Sequence, residues 1–325
     1  MNKVKWGIIG CGDVTEIKSG PAFNKVPNSS LVAVMRRNAD KAADYAKRHN
    51  VARWYNDASK LIDDPEINAI YVATPPSSHE EYTLAAINAG KHVYVEKPMA
   101  LDYTAAQRMA ETAKAKNVKL VVAHYRREWP LFKKLQQLLD EKAIGDILFA
   151  RLQLYKTPQT IDELAEERNA WRVNPAISGG GLFHDLAPHQ LDIMYHLFGP
   201  AKKITGLAAN QRSMYAAHDM VAGNILFENG IVFNGAWCFN AAVASDYCEI
   251  IGSNGKLSFS FFSGNSIELV ANNNTVVFNF DTLQHVQQPM IERTVQYFLN
   301  NTTNPCTGDE GAEIMRWMEE IVAWE

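Results

Sequence analysis

The sequence predicts an α/β domain followed by an α+β domain, and three observations predict it. At 325 residues the chain is long for one hydrophobic core, so two domains are expected. Its first 123 residues alternate near-continuous apolar strands with amphipathic helices, the pattern of a parallel sheet covered on both faces. Its second half runs strand after strand through tight polar turns, the pattern of a large, mostly antiparallel sheet.

In chain order, VKWGIIG is a short apolar strand ending in glycine, with a helix-compatible segment after it. SLVAVMRR is the next strand, and NADKAADYAKRHN reads as a helix opened by Asn38. AIYVATPP is a strand stopped by two prolines, and SHEEYTLAAINAGK is a helix ending at Gly90. HVYVEKP is a strand, DYTAAQRMAETAKAKN a helix and VKLVVAHY another strand. The boundary falls near Tyr125, which divides the chain into 1–123 and 124–325, with HYRREWPLFKKLQQLLDEKAIG as a helix crossing it. Beyond it DILFARLQLYK, GNILFENGIVFNGAWCFNA, DYCEIIGSNGKLSFSFF and SIELVANNNTVVFNF are strands, turning at ENG, SNG and NNN. PMIERTVQYFLNN and GDEGAEIMRWMEEIVAWE close the chain as helices, with room to pack back on the first domain.

An apolar share of 47% and a charged share of 21% are those of an ordinary globular protein. A formal net charge of −4 gives no reason to expect nucleic acid or an anionic membrane as partner. The cysteines Cys11, Cys238, Cys248 and Cys306 show neither CxxC pairing nor metal-ligand spacing, so no metal site is expected and a reducing compartment fits. A strand pattern at the N-terminus, without a signal peptide or an 18-residue apolar span, makes a cytoplasmic location the expectation.

Chemistry enters at four strand ends and one helix. GIIGCGDVT sets Gly10 and Gly12 between the first strand and a helix opened by Asp13 and Val14, where glycines let backbone approach a pyrophosphate. Thr15 replaces the third glycine of GxGxxG, and a plain glycine turn is the other reading. Where the second strand would end in an acid for a ribose 2′-hydroxyl, Arg36 and Arg37 stand instead. Guanidinium groups suit a 2′-phosphate, which favours NADP over NAD, unless the pair is simply solvated. Thr74 and Pro75 of ATPPSSH end a strand where backbone lines the cleft of such a sheet, and His79 belongs either to that cleft or to the first turn of a helix. In EKP, Glu96 and Lys97 follow the apolar Val93 and Val95, so a lysine stands at a strand end near the same cleft, although Lys-Pro is also a common loop start. In GGGLFHDLAPHQLD, residues 179–192, Asp185, His189 and Asp192 recur at i, i+4 and i+7 on one helix face among Leu182, Phe183, Leu186 and Leu191. That is a titratable face on a largely buried helix.

Together and in this order, GIIGCG, ATPPSSH, EKP, WRVNP and GGGLFHDLAPHQLD resemble the Gfo/Idh/MocA oxidoreductases, relatives of glucose–fructose oxidoreductase and inositol dehydrogenase, over essentially the whole chain. The resemblance implies an N-terminal Rossmann dinucleotide-binding domain and a catalytic set of Lys97, Asp185 and His189. It implies cofactor contacts from Gly10, Gly12, Asp13, Val14, Arg36, Arg37, Thr74, Pro75, His79, Glu96 and Lys97, with Trp171 and Arg172 of WRVNP lining nicotinamide and substrate. Tyr125 and Arg126 join Lys97, Trp171, Asp185 and His189 as expected substrate contacts, while His184 reads as structural and Asp192 as a supporting or interdomain residue.

The residue types suit alcohol oxidation. Histidine, with a pKa near working pH, suits removal of the hydroxyl proton; Lys97 can stabilise the developing alkoxide, and Asp185 can orient the pair. The implied substrate is a sugar, polyol or related hydroxyl compound. Two other functions use the same residues: an oxidoreductase or glycosidase that recycles a tightly bound nicotinamide, or a non-catalytic nicotinamide-binding regulator. Retention of Lys97, Asp185 and His189 speaks against the regulator. A homodimer or homotetramer is implied as well, since Phe227, Phe233, Trp237, Phe259 and Phe261 look exposed on more than one face of the second-half strands.

Overall fold

The computed structural model describes residues 2–323. In the first half, β1 (Val4–Ile9), β2 (Ser29–Met35), β3 (Arg53–Tyr55), β4 (Ala69–Val72), β5 (His92–Val95) and β6 (Leu120–Val122) pair in parallel, in the order β3-β2-β1-β4-β5-β6. β4 and β6 are buried at every position, which is why they read as continuous apolar runs. Between the strands lie α1 (Asp13–Ile17), α2 (Ala39–Arg48), α3 (Ala58–Ile62), α4 (His79–Asn88) and α5 (Tyr103–Ala115). Asn38 caps α2 by accepting from Lys41 N at 2.9 Å, and Asp102 caps α5 by accepting from Ala105 N at 2.7 Å. Strand order reverses between β1 and β4, so their carboxyl ends flank the crevice where such sheets bind ligands.

In the second half, β7 (Ile147–Tyr155), β8 (Ala201–Ala209), β9 (Met220–Phe227), β10 (Val232–Cys238), β11 (Ser245–Gly252), β12 (Gly255–Phe259), β13 (Ser266–Ala271) and β14 (Asn274–Asn279) form one sheet in the order β14-β13-β12-β11-β7-β10-β9-β8. Only β7 and β10 pair in parallel. The expected crossing helix is two pieces, a 3-10 turn at Tyr125–Glu128 and α6 (Pro130–Asp140), because Pro130 suits a first helical position and cannot continue a helix. The short helices α7 (Ile161–Ala165), α8 (Glu167–Ala170) and α9 (Pro175–Ser178) precede the long α10 (Gly181–Phe198). The five aromatics expected on more than one face are all inside: Phe227, Phe233, Trp237, Phe259 and Phe261 are at most 4% exposed. Strand alternation turns the first four to the covered side, where Trp237 packs 5.1 Å from Phe183 of α10 and donates its Nε1–H to Gln190 at 2.6 Å, and Phe261 turns inward from the loop after β12. The aromatic and aliphatic residues that do remain exposed on the strands include Phe149, Val232 and Leu207.

The chain ends with α11 (Gln288–Phe298) and α12 (Gly308–Val322). Its compact units are Met1–Glu128 with Leu283–Met315, and Trp129–Thr282 with Arg316–Glu325, so residues 283–315 go with the first unit. Aromatic packing accounts for that assignment: Phe298 of α11 lies 5.5 Å from the fully buried Trp6 of β1. Lys119 also donates to the C-terminal carbonyls of α11 at Tyr297 and Phe298, at 2.5 and 3.2 Å. Among the described residues no helix is long and apolar enough to cross a membrane.

Candidate active site

In the first unit the site begins at the glycine turn. Gly10 has φ +95°, and a Cβ there would lie 2.8 Å from the backbone nitrogen of Thr74, so β1 and β4 close on each other only over glycine. The N–H groups of Gly10 and Cys11 both donate to Met35 O, at 2.9 and 3.1 Å. Thr15, standing where the motif has its third glycine, locks the turn: its Oγ1 accepts from Gly12 N at 3.0 Å and donates to Gly12 O at 2.8 Å. The amides of residues 10–12 are therefore occupied. Those of Asp13 and Val14 lie in the first turn of α1, where no intrahelical acceptor exists, and they are the groups able to hold a pyrophosphate. The Asp13 carboxylate would repel phosphate, so a phosphate contact there would have to run through its backbone N–H.

Arg36 and Arg37 separate at the end of β2. Arg36 is half-buried and leans over the glycine turn, donating from Nη1 to Cys11 O at 3.4 Å. Arg37 is exposed and lines a cavity of about 590 Å3 with Asn56, Ser59, Lys60 and Tyr82. Asn56, Ser59 and Lys60 lie between residues 51 and 68, where the sequence shows no readable element, and Tyr82 lies on α4, where no motif marks it.

His79 and Glu96 are placed as braces. His79 is the first residue of α4 and fully buried, with Nδ1 2.9 Å from Pro98 O and Nε2 2.7 Å from Thr74 O. It ties the loop after β4 to the loop after β5, and burial pulls its pKa down. Glu96 turns inward at 6% exposure: Tyr71 and Gln287 donate to its Oε1, the latter at 2.5 Å, and Lys97 N donates to its Oε2 at 3.1 Å. Burial and the adjacent Glu96 carboxylate raise the Tyr71 pKa well above its usual value, so Tyr71 stays a donor. Glu96 thus holds the turn that presents the half-buried Lys97 at the end of β5. Gln287, in turn fixed by Tyr94 at 3.1 Å, has no motif around it and was missed. Pro75 precedes a 3-10 turn at Pro76–Ser78, within which Ser78 donates to Thr74 Oγ1 at 2.9 Å. Tyr125 and Arg126 follow β6 and are both buried, the guanidinium 5.8 Å from its neighbour's ring centroid.

In the second unit, Gly179 and Gly181 have φ of 89° and 78°, the left-handed region that glycine enters without strain. A Cβ on the intervening Gly180 would stand 1.9 Å from His184 Nδ1. Past this turn α10 brings Asp185, His189 and Asp192 onto the expected register. The half-buried Asp185 pairs through Oδ2 with Arg172 Nε at 3.2 Å, and that guanidinium lies 4.6 Å from the Trp171 ring centroid, so three predicted residues form one cluster. His189, one turn on, is 5% exposed and 5.7 Å from the ring of Phe262, another residue that no motif marked. Asp192 is 1% exposed. Pro188 has no N–H to give the carbonyl of His184, which lies one turn before it. The His184 ring is buried, which lowers its pKa to about 4 and keeps it neutral.

A parallel sheet with a glycine turn at its switch point, joined to a second unit with an acid and a histidine on one helix face, defines a nicotinamide-dependent oxidoreductase. Residues 4–124 match an oxidoreductase family with an NAD-binding Rossmann fold, residues 132–258 match the GFO/IDH/MocA C-terminal domain, and the chain belongs to that family. It is 48% identical over 318 residues to oxidoreductase P35 of Formosa agariphila, covering 98% of each chain. A levoglucosan dehydrogenase in complex with NADH and levoglucosan shares the fold at TM-score 0.88 and 21% identity, over 98% of this chain and 96% of that one. A 3-ketoreductase from Actinomadura kijaniata in complex with NADP and TDP-benzene does so at TM-score 0.85 and 19% identity, over 98% and 97%.

Proposed function

We propose that the protein is an NADP-preferring dehydrogenase or reductase that interconverts a hydroxyl and a carbonyl on a sugar, polyol or related compound. The first unit binds the dinucleotide. Its pyrophosphate lies on the amides of Asp13 and Val14 beside Gly12, whose open side would leave an added Cβ nothing nearer than 3.9 Å. Arg36 and Arg37 meet the 2′-phosphate, with Lys60 of the cavity as a further cation. Bound there, the nicotinamide supplies the hydride acceptor or donor. His189 takes the hydroxyl proton, the Lys97 ammonium stabilises the alkoxide, and Asp185, held by Arg172, orients the charged groups around them. Trp171, Tyr125 and Arg126 contribute further substrate contacts, the last two from the buried turn after β6.

The observation that carries this reading is the face of α10, on which Asp185 is ion-paired to Arg172 and His189 follows one turn later among buried residues. A relative named as a levoglucosan dehydrogenase supports a carbohydrate. The second unit binds substrate and associates with another copy, for which Phe149, Val232 and Leu207 are exposed on its strands; light scattering at micromolar concentration tests that association, and a monomer refutes it. A screen of sugars and polyols with NADP⁺ and with NAD⁺, read at the absorbance of the reduced nicotinamide, tests the activity itself. Turnover of a sugar or polyol, faster with NADP⁺, is expected.

A further inference from the structure

The loop after β12 is built around one carboxylate. Asp246, at the start of β11, accepts from three successive backbone N–H groups: Phe261 at 3.1 Å, Phe262 at 2.5 Å and Ser263 at 2.7 Å. Ser260 Oγ donates to the carbonyl of the same residue at 2.7 Å. Charge-assisted bonds of this kind are stronger than neutral ones and hold residues 260–263 in a single conformation. In that conformation the two aromatics part. Phe261 goes inward, 1% exposed and 5.2 Å from Phe132. Phe262 stays 39% exposed, with its ring 5.7 Å from the imidazole of His189 at an interplanar angle of 72°. An exposed phenyl ring fixed by a buttressed turn against one histidine is more than the packing of this loop needs.

We infer that Phe262 determines which hydroxyl compounds the site accepts: its ring is an apolar wall for the C–H face of a ring-closed sugar, set beside the imidazole that takes the hydroxyl proton. The inference rests on the role proposed for His189. A pyranose presents a flat patch of C–H groups that an aromatic ring can cover, while its hydroxyls point outward at the rim. An open-chain polyol has no such face and loses more rotational freedom on binding. Phe262 therefore favours rings over chains without touching the reacting atoms.

The test measures kcat and KM for the wild type, Phe262→Ala, Phe262→Leu and Phe262→Tyr on a panel of pyranoses and their open-chain polyols, with His189→Ala and cofactor affinity followed alongside. The wild type should prefer rings. Phe262→Ala and Phe262→Leu should raise KM for rings by about tenfold, the factor expected for one aromatic contact, with KM for chains, kcat and cofactor affinity little changed. Phe262→Tyr should restore the ring preference. Equal or better use of chains by the wild type, or an unchanged ring-to-chain ratio in the alanine and leucine variants while His189→Ala is inactive, overturns the role of Phe262 alone. Full activity in His189→Ala, or no turnover of either class, defeats the proposed function and this inference with it.

Discussion

The two units hold their candidate residues in opposite ways. In the first, Gly10, Arg36, Thr74 and Lys97 lie far apart in sequence and each stands at the carboxyl end of a different strand, so the sheet topology gathers them. Each strand end is then fixed by polar bonds from elsewhere, such as His79 between two loops and Gln287 on Glu96. In the second, Asp185 and His189 share one helix, and their spacing is set by the helix itself. A binding surface spread over strand ends shares its contacts among many groups. A pair on one helix face does not. The first arrangement suits a large, charged cofactor held at many points, and the second suits proton transfer at one.

That contrast can be broken at several points. The largest effect is expected from Lys97→Ala, which removes the one group of the first unit assigned to chemistry. Turnover should fall by roughly 10²–10⁴-fold while cofactor titration stays near wild type. Unchanged turnover would leave the loop after β5 with a purely binding role.

Arg36→Asp should act on binding alone. Losing charge-assisted bonds to the 2′-phosphate and adding repulsion should cost roughly 2–4 kcal/mol in NADP affinity, with NAD affected far less. Titration calorimetry with both cofactors reads this directly, and equal wild-type affinities for NAD and NADP would contradict the assignment of the arginines.

The smallest effect concerns stability, and each unit contains a group for it. Burial lowers His92 in the first unit and His184 in the second from about 6.5 to about 4, His92 with help from the Lys119 charge. A depressed folded-state pKa means that the stability is fully present above pH 6.5 and is lost as pH falls toward 4, because the unfolded chain takes up the protons first. For His184 the loss reaches about 3 kcal/mol below pH 4, and the less completely buried His92 adds less. Thermal unfolding should therefore show a melting temperature that drops between pH 6.5 and 4. A flat profile across that window would mean that both rings reach water.

Legibility in the sequence followed the same division. β1, β2 and β4–β6 could be read because strands buried on both faces are continuous apolar runs, whereas β3 and α3, at three and five residues, are too short to show a period. β8 was invisible because no position in it is fully buried, so its alternation of apolar and polar residues is weak. The same alternation in β10 was seen, but its buried side was mistaken for a second exposed face. In the site, Asp185 and His189 share a helix face legible in the sequence, and the family resemblance marks Lys97 with them. Gln287 reaches Glu96 from 191 residues away, and Phe262 reaches His189 from another loop altogether, so only the folded chain reveals them.

The central claim, that the first unit binds cofactor while α10 of the second carries proton transfer, is tested most directly by His189→Ala measured twice on one preparation. Titration with NADP and steady-state oxidation of the best substrate from the screen give its affinity and its turnover. The account predicts an affinity unchanged from wild type and a turnover lower by ~10²–10⁴-fold. Wild-type turnover in that variant, or a loss of activity explained wholly by lost cofactor affinity, would contradict it.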